Sequence, residues 1–186
     1  MNINGIIGRE YEQKLILEHC KSSKAELIAI YGRRRVGKTF LVRKMFNDQF
    51  AFSFIGMYEV SRAVQLEQFR MALEHYTKQT VPRLKTWFEA FAALREYLSG
   101  LSQQEPLVLF FDELPWMDTP KSNFIAAFSY FWNSWASMVR NMKVCAPSAA
   151  KATYGMCSAL PPVISPVAQS ATVIPVTTTL FLPTVR

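Results

Sequence analysis

The sequence predicts an α/β fold of three layers, with a mostly parallel central sheet between layers of helices. Short apolar runs alternate along the chain with longer segments of helical period. A glycine-bracketed basic loop, Gly32–Thr39, separates one apolar run from the helix after it, and another apolar run ends in Asp112 and Glu113. Because parallel strands need crossover connections, this alternation favours parallel strands over hairpins.

The individual elements follow from composition and spacing. Glu26–Tyr31 is a short apolar run that stops at a glycine, which is typical of a buried strand. Apolar residues between 83 and 98 recur every three or four positions and define one helix face. The predicted elements are helix 9–21, strand 26–31, helix 38–49, strand 50–55, helices 61–78 and 83–98, strand 106–111, helix 123–140, and a short strand that starts at Met142 and stops at Pro147.

Bulk properties limit the class of protein without selecting a function. The 186 residues carry a net charge of +7, which favours anionic partners such as nucleotides, nucleic acid or acidic lipid. Three cysteines and two histidines indicate neither a disulfide framework nor a zinc site. The N-terminus lacks the apolar core of a signal peptide, and no apolar run of membrane-spanning length occurs. We therefore expect a reduced, cytoplasmic protein without a membrane span.

The loop after the first predicted strand matches G-x-x-x-x-G-K-[ST], the P-loop or Walker A pattern. Its two glycines let successive backbone N–H groups point at phosphate oxygens, and the following helix adds its positive end. Lys38 would carry its charge to the β- and γ-phosphates, and the Thr39 hydroxyl would ligate Mg²⁺. The alternative is a basic surface turn. The predicted nucleotide-binding residues here are Gly32, Arg33, Arg34, Arg35, Val36, Gly37, Lys38, Thr39 and Phe40.

The strand ending in Asp112 supplies the other half of such a site. Ligands of parallel sheets gather at the carboxyl ends of strands, so Asp112 is placed to hold Mg²⁺ opposite Thr39. Glu113 follows directly and is placed to polarise a water for attack on the γ-phosphate. With Glu113 and Lys38 as catalytic residues, the leading reaction is hydrolysis of a nucleoside triphosphate. The absence of an Asn-Lys-x-Asp segment favours adenine over guanine.

With both halves in place, the chain resembles the archaeal-type ATPases of the P-loop class, relatives of the AAA+ and STAND ATPases. The resemblance extends from about Ile3 to Val144 and rests on "IIGREYEQ", "YGRRRVGKTFLV", "LVLFFDELPWM" and "FSYFWNSWAS". It implies a P-loop NTPase three-layer fold in which the last strand inserts between the P-loop strand and the Asp112 strand. It also implies that Gly8, Arg9 and Glu10 lie near the adenine, which makes Arg9 a predicted nucleotide contact.

The chain departs from this family at its C-terminal end. All fourteen acidic residues precede residue 145, whereas six of the ten prolines follow it. Family members continue into a helical lid and often a winged-helix region, so the fold is predicted to be incomplete, with no sensor residue, lid or arginine finger assigned. We predict that residues 1–146 form the N-terminal part of an ATPase domain. Residues 147–186 form a Pro/Ser/Thr/Ala/Val-rich tail that is disordered, weakly extended or out of frame.

The function predicted from the sequence is Mg-ATP binding and ATP hydrolysis by an AAA+/STAND-like ATPase. Two alternatives stay open. One is a nucleotide-dependent regulatory switch associated with nucleic acid, which would reach nucleic acid or a protein partner through the missing C-terminal region. The other is a truncated fragment without activity.

Overall fold

The computed structural model describes residues 6–102, 104–148 and 171–176, with the backbone alone for 171–173. Ten regular elements occur in these residues, together with one-turn 3₁₀ helices at Leu114–Met117 and Ala136–Met138. In chain order they are α1 (Glu10–Lys21), β1 (Glu26–Tyr31), α2 (Lys38–Met45), β2 (Phe52–Ile55), α3 (Arg62–Thr77), α4 (Trp87–Ser99), β3 (Leu107–Asp112), α5 (Phe124–Ser134), β4 (Met142–Ser148) and β5 (Ala171–Pro175).

All five strands belong to one parallel sheet in the order β2-β3-β4-β1-β5. Strand β4 lies between β3 and β1, with Cys145 opposite both Ile28 and Phe110. The predicted α/β class with a parallel sheet is therefore confirmed, as is the central position of the last predicted strand. The order brings the carboxyl ends of β1 and β3 to either side of β4.

Side chains of the strands alternate between two cores because successive residues point to opposite faces. Leu109 and Phe111 pack with helices α3, α4 and α5, whereas Val108 and Phe110 pack with α1 and α2. The sheet is thus covered on both faces, which explains why β3 reads as a continuous apolar run. Within the described parts of the chain, every helix falls short of the length and apolarity that a membrane crossing demands.

The prediction that the last strand stops at Pro147 is wrong. Strand β4 continues to Ser148, and Pro147 lies opposite Ile30 of β1. Proline has no N–H to donate, but its carbonyl still accepts, and Pro147 receives a 3.0 Å hydrogen bond from the Glu113 N–H. The proline falls near the end of the strand, where one missing donor interrupts little of the ladder.

Part of the predicted tail also forms regular structure. Ala171–Pro175, which we expected to be disordered or weakly extended, forms strand β5 at the edge of the sheet beside β1. An edge strand tolerates Pro175 because one of its sides needs no pairing. Residues 149–170 and 177–186 of that tail lie outside the described residues, and the domain boundary at residue 146 stays a prediction.

Two helices end earlier than predicted. Helix α2 stops at Met45, and Asn47 and Asp48 take left-handed φ values of 51° and 56°. Both residue types tolerate that conformation. Helix α5 stops at Ser134, because Trp135 leaves the helical region and its ring contacts Phe131 with 5.5 Å between centroids. Tertiary packing overrides the helical propensity of this segment.

Candidate functional site

The P-loop folds around its own lysine. Gly37 has φ +79° and stands at the start of α2, a conformation that side chains rarely adopt. The Lys38 side chain turns back into the loop, and its Nζ donates to the carbonyls of Gly32 at 2.9 Å and Arg33 at 2.8 Å. Only 6% of Lys38 is exposed, and burial lowers the pKa of its ammonium. The nearby Glu113 and Asp112 carboxylates oppose that decrease.

Thr39 and Asp112 meet across the sheet edge. The Thr39 hydroxyl donates to Asp112 Oδ2 at 2.9 Å, while Asp112 Oδ1 accepts the Glu113 N–H at 3.0 Å. Burial raises the pKa of the Asp112 carboxyl, and the bond from Thr39 partly offsets this. A hydroxyl and a buried carboxylate are hard oxygen donors of the kind Mg²⁺ prefers, and a cation would offset the unfavourable burial of the charge. The two residues therefore fit the metal that the family resemblance implies.

Glu113 follows Asp112 in a left-handed conformation, with φ 48° and ψ 43°. Its N–H is shared between Asp112 Oδ1 and the Pro147 carbonyl, each at 3.0 Å. This turn places Glu113 on the wall of an open cleft of about 900 Å³ opposite the P-loop. The cleft is lined by Arg34, Arg35, Gly37, Lys38, Thr39, Phe40, Arg43 and Glu113.

The three loop arginines are exposed but differ in what they contact. Arg33 holds Lys38 through its carbonyl. The Arg34 guanidinium lies over the Trp116 ring, 5.6 Å from the centroid, so it connects the P-loop to the turn after Glu113. Arg35 has φ 64° and lines the cleft, and Phe40 lines it with about half of its surface exposed.

Arg9 joins the site through the loop backbone. Its Nη2 donates to the Val36 carbonyl, and its Nη1 is buried without a hydrogen-bond partner in the described residues. The preceding Gly8 carbonyl accepts from Gln13 Nε2 at 2.6 Å, which fixes the start of α1. The Arg9 charge also contributes to the lowered pKa of Lys38. The structure thus brings Arg9 to the P-loop itself.

Comparison with known proteins decides the family. Residues 6–153 match the family described as the ATPase domain predominantly from Archaea. The chain belongs to this family. A stretch of 43 residues is 40% identical to the uncharacterized ATP-binding protein MJ0423 of Methanocaldococcus jannaschii, covering 23% of this chain and 73% of that protein. The resemblance predicted from the sequence is confirmed.

Two solved structures share the fold of this ATPase-family domain. The Walker-type ATPase paby2304 of Pyrococcus abyssi aligns with a TM-score of 0.58 and 17% identity over 92% of this chain and 53% of its own. Drosophila ORC bound to AT-rich DNA and Cdc6 aligns with a TM-score of 0.54 and 12% identity over 92% of this chain and 56% of its own. The chain thus spans about half the length of the solved structures that it matches.

The ATPase-family site contains residues that the sequence did not single out. Arg43 lines the cleft one helical turn after Thr39, a spacing that could have indicated it. Ser148 ends β4 fully buried at the same sheet edge, and it was missed because the strand was expected to stop one residue earlier. Trp116 and Gln65 are joined to this region by contacts between distant segments, which no local pattern signals.

Proposed function

We propose that this domain binds ATP with Mg²⁺ in the cleft and hydrolyses it to ADP and phosphate. One observation carries the proposal: the Thr39 hydroxyl and Asp112 carboxylate meet at 2.9 Å, with Lys38 and Glu113 beside them. Membership of an ATPase-domain family and a relative named as ATP-binding support adenine as the base. The buried, unpaired thiols of Cys20 and Cys145 are consistent with a reducing cytoplasm.

Lys38 would exchange its hydrogen-bond partners when ATP binds. Its ammonium is held by two neutral carbonyls of its own loop, at 2.9 and 2.8 Å. A phosphate oxygen is a stronger partner because the hydrogen bond is then charge-assisted at both ends. ATP therefore draws the ammonium toward the β- and γ-phosphates. The N–H groups at the start of α2 cradle the same oxygens.

Thr39 and Asp112 would hold Mg²⁺, which neutralises the developing charge on the phosphates. Glu113 takes the proton of the attacking water. The water oxygen bonds to the γ-phosphorus, its proton passes to the Glu113 carboxylate, and the bond to the β–γ bridging oxygen breaks, with that oxygen leaving on ADP. The open cleft leaves room for that water between Glu113 and the P-loop.

A nucleotide-dependent switch associated with nucleic acid is the second candidate. The net charge of +7 and the exposed Arg33, Arg34 and Arg35 beside the cleft favour it. Under this reading, ATP sets a conformation and hydrolysis resets it. The partner would engage regions beyond those described here, since the chain spans about half of the solved structures that it matches.

Single-turnover hydrolysis of labelled ATP tests the leading proposal. Glu113→Gln keeps the shape of the side chain but removes its basicity, so we expect hydrolysis to fall about 100-fold or more while ATP affinity is unchanged. The exposed Glu96 on α4 supplies the matched control, Glu96→Gln, which should hydrolyse ATP like the wild type. An unchanged rate in Glu113→Gln would exclude Glu113 as the base. ATP binding without turnover in the wild type would support a fragment that lacks activity.

A further inference from the structure

Gln65 lies on α3 outside the cleft, yet it is fully buried and its amide makes three hydrogen bonds. Its Nε2 donates to the Met57 carbonyl at 2.7 Å and to the Trp116 carbonyl at 3.0 Å. Its Oε1 accepts the Met57 N–H at 3.2 Å. A buried polar side chain that satisfies three backbone groups fixes their relative positions, because breaking any bond leaves a buried group unpaired.

The two segments that Gln65 joins meet at the candidate catalytic turn. Met57 belongs to the loop after β2, and Trp116 belongs to the 3₁₀ turn after Glu113, where its N–H donates to the Glu113 carbonyl at 2.9 Å. The β2 loop touches the same turn next to Met57. The Gly56 N–H donates to the backbone carbonyl of Asp112 at 2.9 Å, and a Cβ at Gly56 would lie 2.5 Å from the Glu113 carbonyl oxygen.

Glu113 needs such support. Its φ of 48° lies in the left-handed region, which costs energy for a residue with a side chain. Such a conformation persists where the surrounding contacts determine it. The Glu113 end of the turn is held by the Pro147 carbonyl and by the close approach of Gly56. The Trp116 end is held by Gln65 at its carbonyl and by the Arg34 guanidinium over its ring.

We propose that Gln65 is a positioning residue for ATP hydrolysis. By joining Met57 to Trp116 it holds the Glu113–Trp116 turn in the one conformation that aims the Glu113 carboxylate into the cleft. Gln65 touches neither nucleotide nor attacking water, so its loss affects turnover and not ATP affinity. This inference rests on the proposed function.

Gln65→Met tests it, because methionine keeps the length of the side chain and removes both donors. Thermal melts first establish that the variant is folded, and Gln65→Leu replaces it if it is not. The matched control is Gln68→Met, at an exposed position of the same helix. We expect kcat to fall about 10- to 100-fold in Gln65→Met, with ATP affinity within about twofold of the wild type, as for a misplaced catalytic group.

A double variant separates positioning from general loosening of the fold. If Gln65 acts through Glu113, adding Gln65→Met to Glu113→Gln lowers hydrolysis no further. A second, multiplicative loss, or a weakening of ATP binding equal to the loss of kcat, would overturn the inference.

Hydrogen exchange supplies a readout that needs no turnover. In Gln65→Met the amides of Glu113 and Trp116 should exchange faster, while those of β1 keep wild-type protection. If the wild type fails to hydrolyse ATP, the proposed function fails, and the exchange measurement still decides whether Gln65 holds the turn. Unchanged protection at Glu113 and Trp116 would overturn the inference by itself.

Discussion

Two buried lysines lie at opposite ends of the parallel strands, one at the carboxyl ends and one near the amino ends, and both have almost the same hydrogen-bond partners. Lys38 at the carboxyl edge donates to the Gly32 and Arg33 carbonyls, and Lys143 near the amino edge donates to the carbonyls of Ser22 and Lys24. Burial lowers the pKa of both ammonium groups. Each therefore uses two loop carbonyls as a partial substitute for water.

The difference lies in what surrounds them. Lys38 faces an open cleft and two acids, Asp112 and Glu113. Lys143 is fully buried, with Glu26 opposite it in β1. An ammonium held by neutral carbonyls can exchange them for phosphate only where ligand can reach it. We therefore expect the same arrangement to be structural at Lys143, at the closed edge, and to bind phosphate at Lys38, at the open edge.

The largest expected effect is at the closed edge. Lys143→Met removes two hydrogen bonds from a charged donor, to the Ser22 and Lys24 carbonyls. Each such bond contributes about 1.5–3 kcal/mol, so we expect the free energy of unfolding to fall by about 3–5 kcal/mol. Urea unfolding measures it, with the exposed Lys21→Met of α1 as control. A loss below about 1 kcal/mol would mean that the carbonyls find other partners and that Lys143 is not structural.

At the open edge the effect should appear in binding. Lys38→Met removes the charge-assisted contact to phosphate, worth about 1.5–3 kcal/mol, so the Kd for ATP should rise roughly 10- to 100-fold. Lys85→Met, at an exposed position just before α4 and outside the cleft, is the control and should bind ATP normally. Isothermal titration compares the three proteins. Equal affinity in all of them would remove Lys38 from the phosphate site.

A smaller effect concerns the pH dependence of stability. Because burial raises the pKa of Asp112, folding favours its protonated form, and the ionised form weakens the fold at pH values above that raised pKa. Asp112→Asn should therefore raise the Tm of the nucleotide-free protein at neutral pH. The gain should vanish near pH 3, where the carboxyl is protonated in both states. Melting curves across this range check it, and a gain that persists at pH 3 would point to a different cause.

The smallest expected effect concerns the access of a thiol reagent to the two buried cysteines, Cys20 and Cys145. Burial raises the pKa of Cys20 to about 12 and raises that of Cys145 well above its ordinary value. Since the thiolate is the reactive form, both should resist a thiol reagent at pH 8 in the native protein and react in urea. The measurement is made in Cys157→Ser, so that the signal reports these two residues. Rapid native labelling of either would contradict a closed edge.

The sequence predicted best what depends on local pattern. The bounds of β1 and the start of α2 at Lys38 follow from short-range chemistry, and the structure agrees. The P-loop could be predicted because the phosphate chemistry fixes residue types at fixed spacings. The sheet order came from the family resemblance, since pairing of distant strands leaves no local trace.

What the sequence did not predict depends on contacts across the fold. Pro147 indicates a strand end, yet its carbonyl is paired by Glu113 and the strand continues. Nothing in the local sequence distinguishes Gln65 from other helix residues. Its role as a link between Met57 and Trp116 is seen only in the folded chain. Arg9 was expected beside adenine. Its contact with the Val36 carbonyl depends on the packing of α1 against the loop, which the sequence does not specify locally.

The first glycine of the phosphate loop has a further consequence. A Cβ at Gly32 would lie 2.3 Å from the Val176 carbonyl oxygen, and the Val176 N–H donates to the Tyr31 carbonyl at 2.7 Å. The demand for glycine at this position is therefore set partly by the far end of the chain, and not only by the bound anion. Gly32 and Val176 are packed so closely that a displacement of the loop's first residue would require a displacement of the segment after β5 as well.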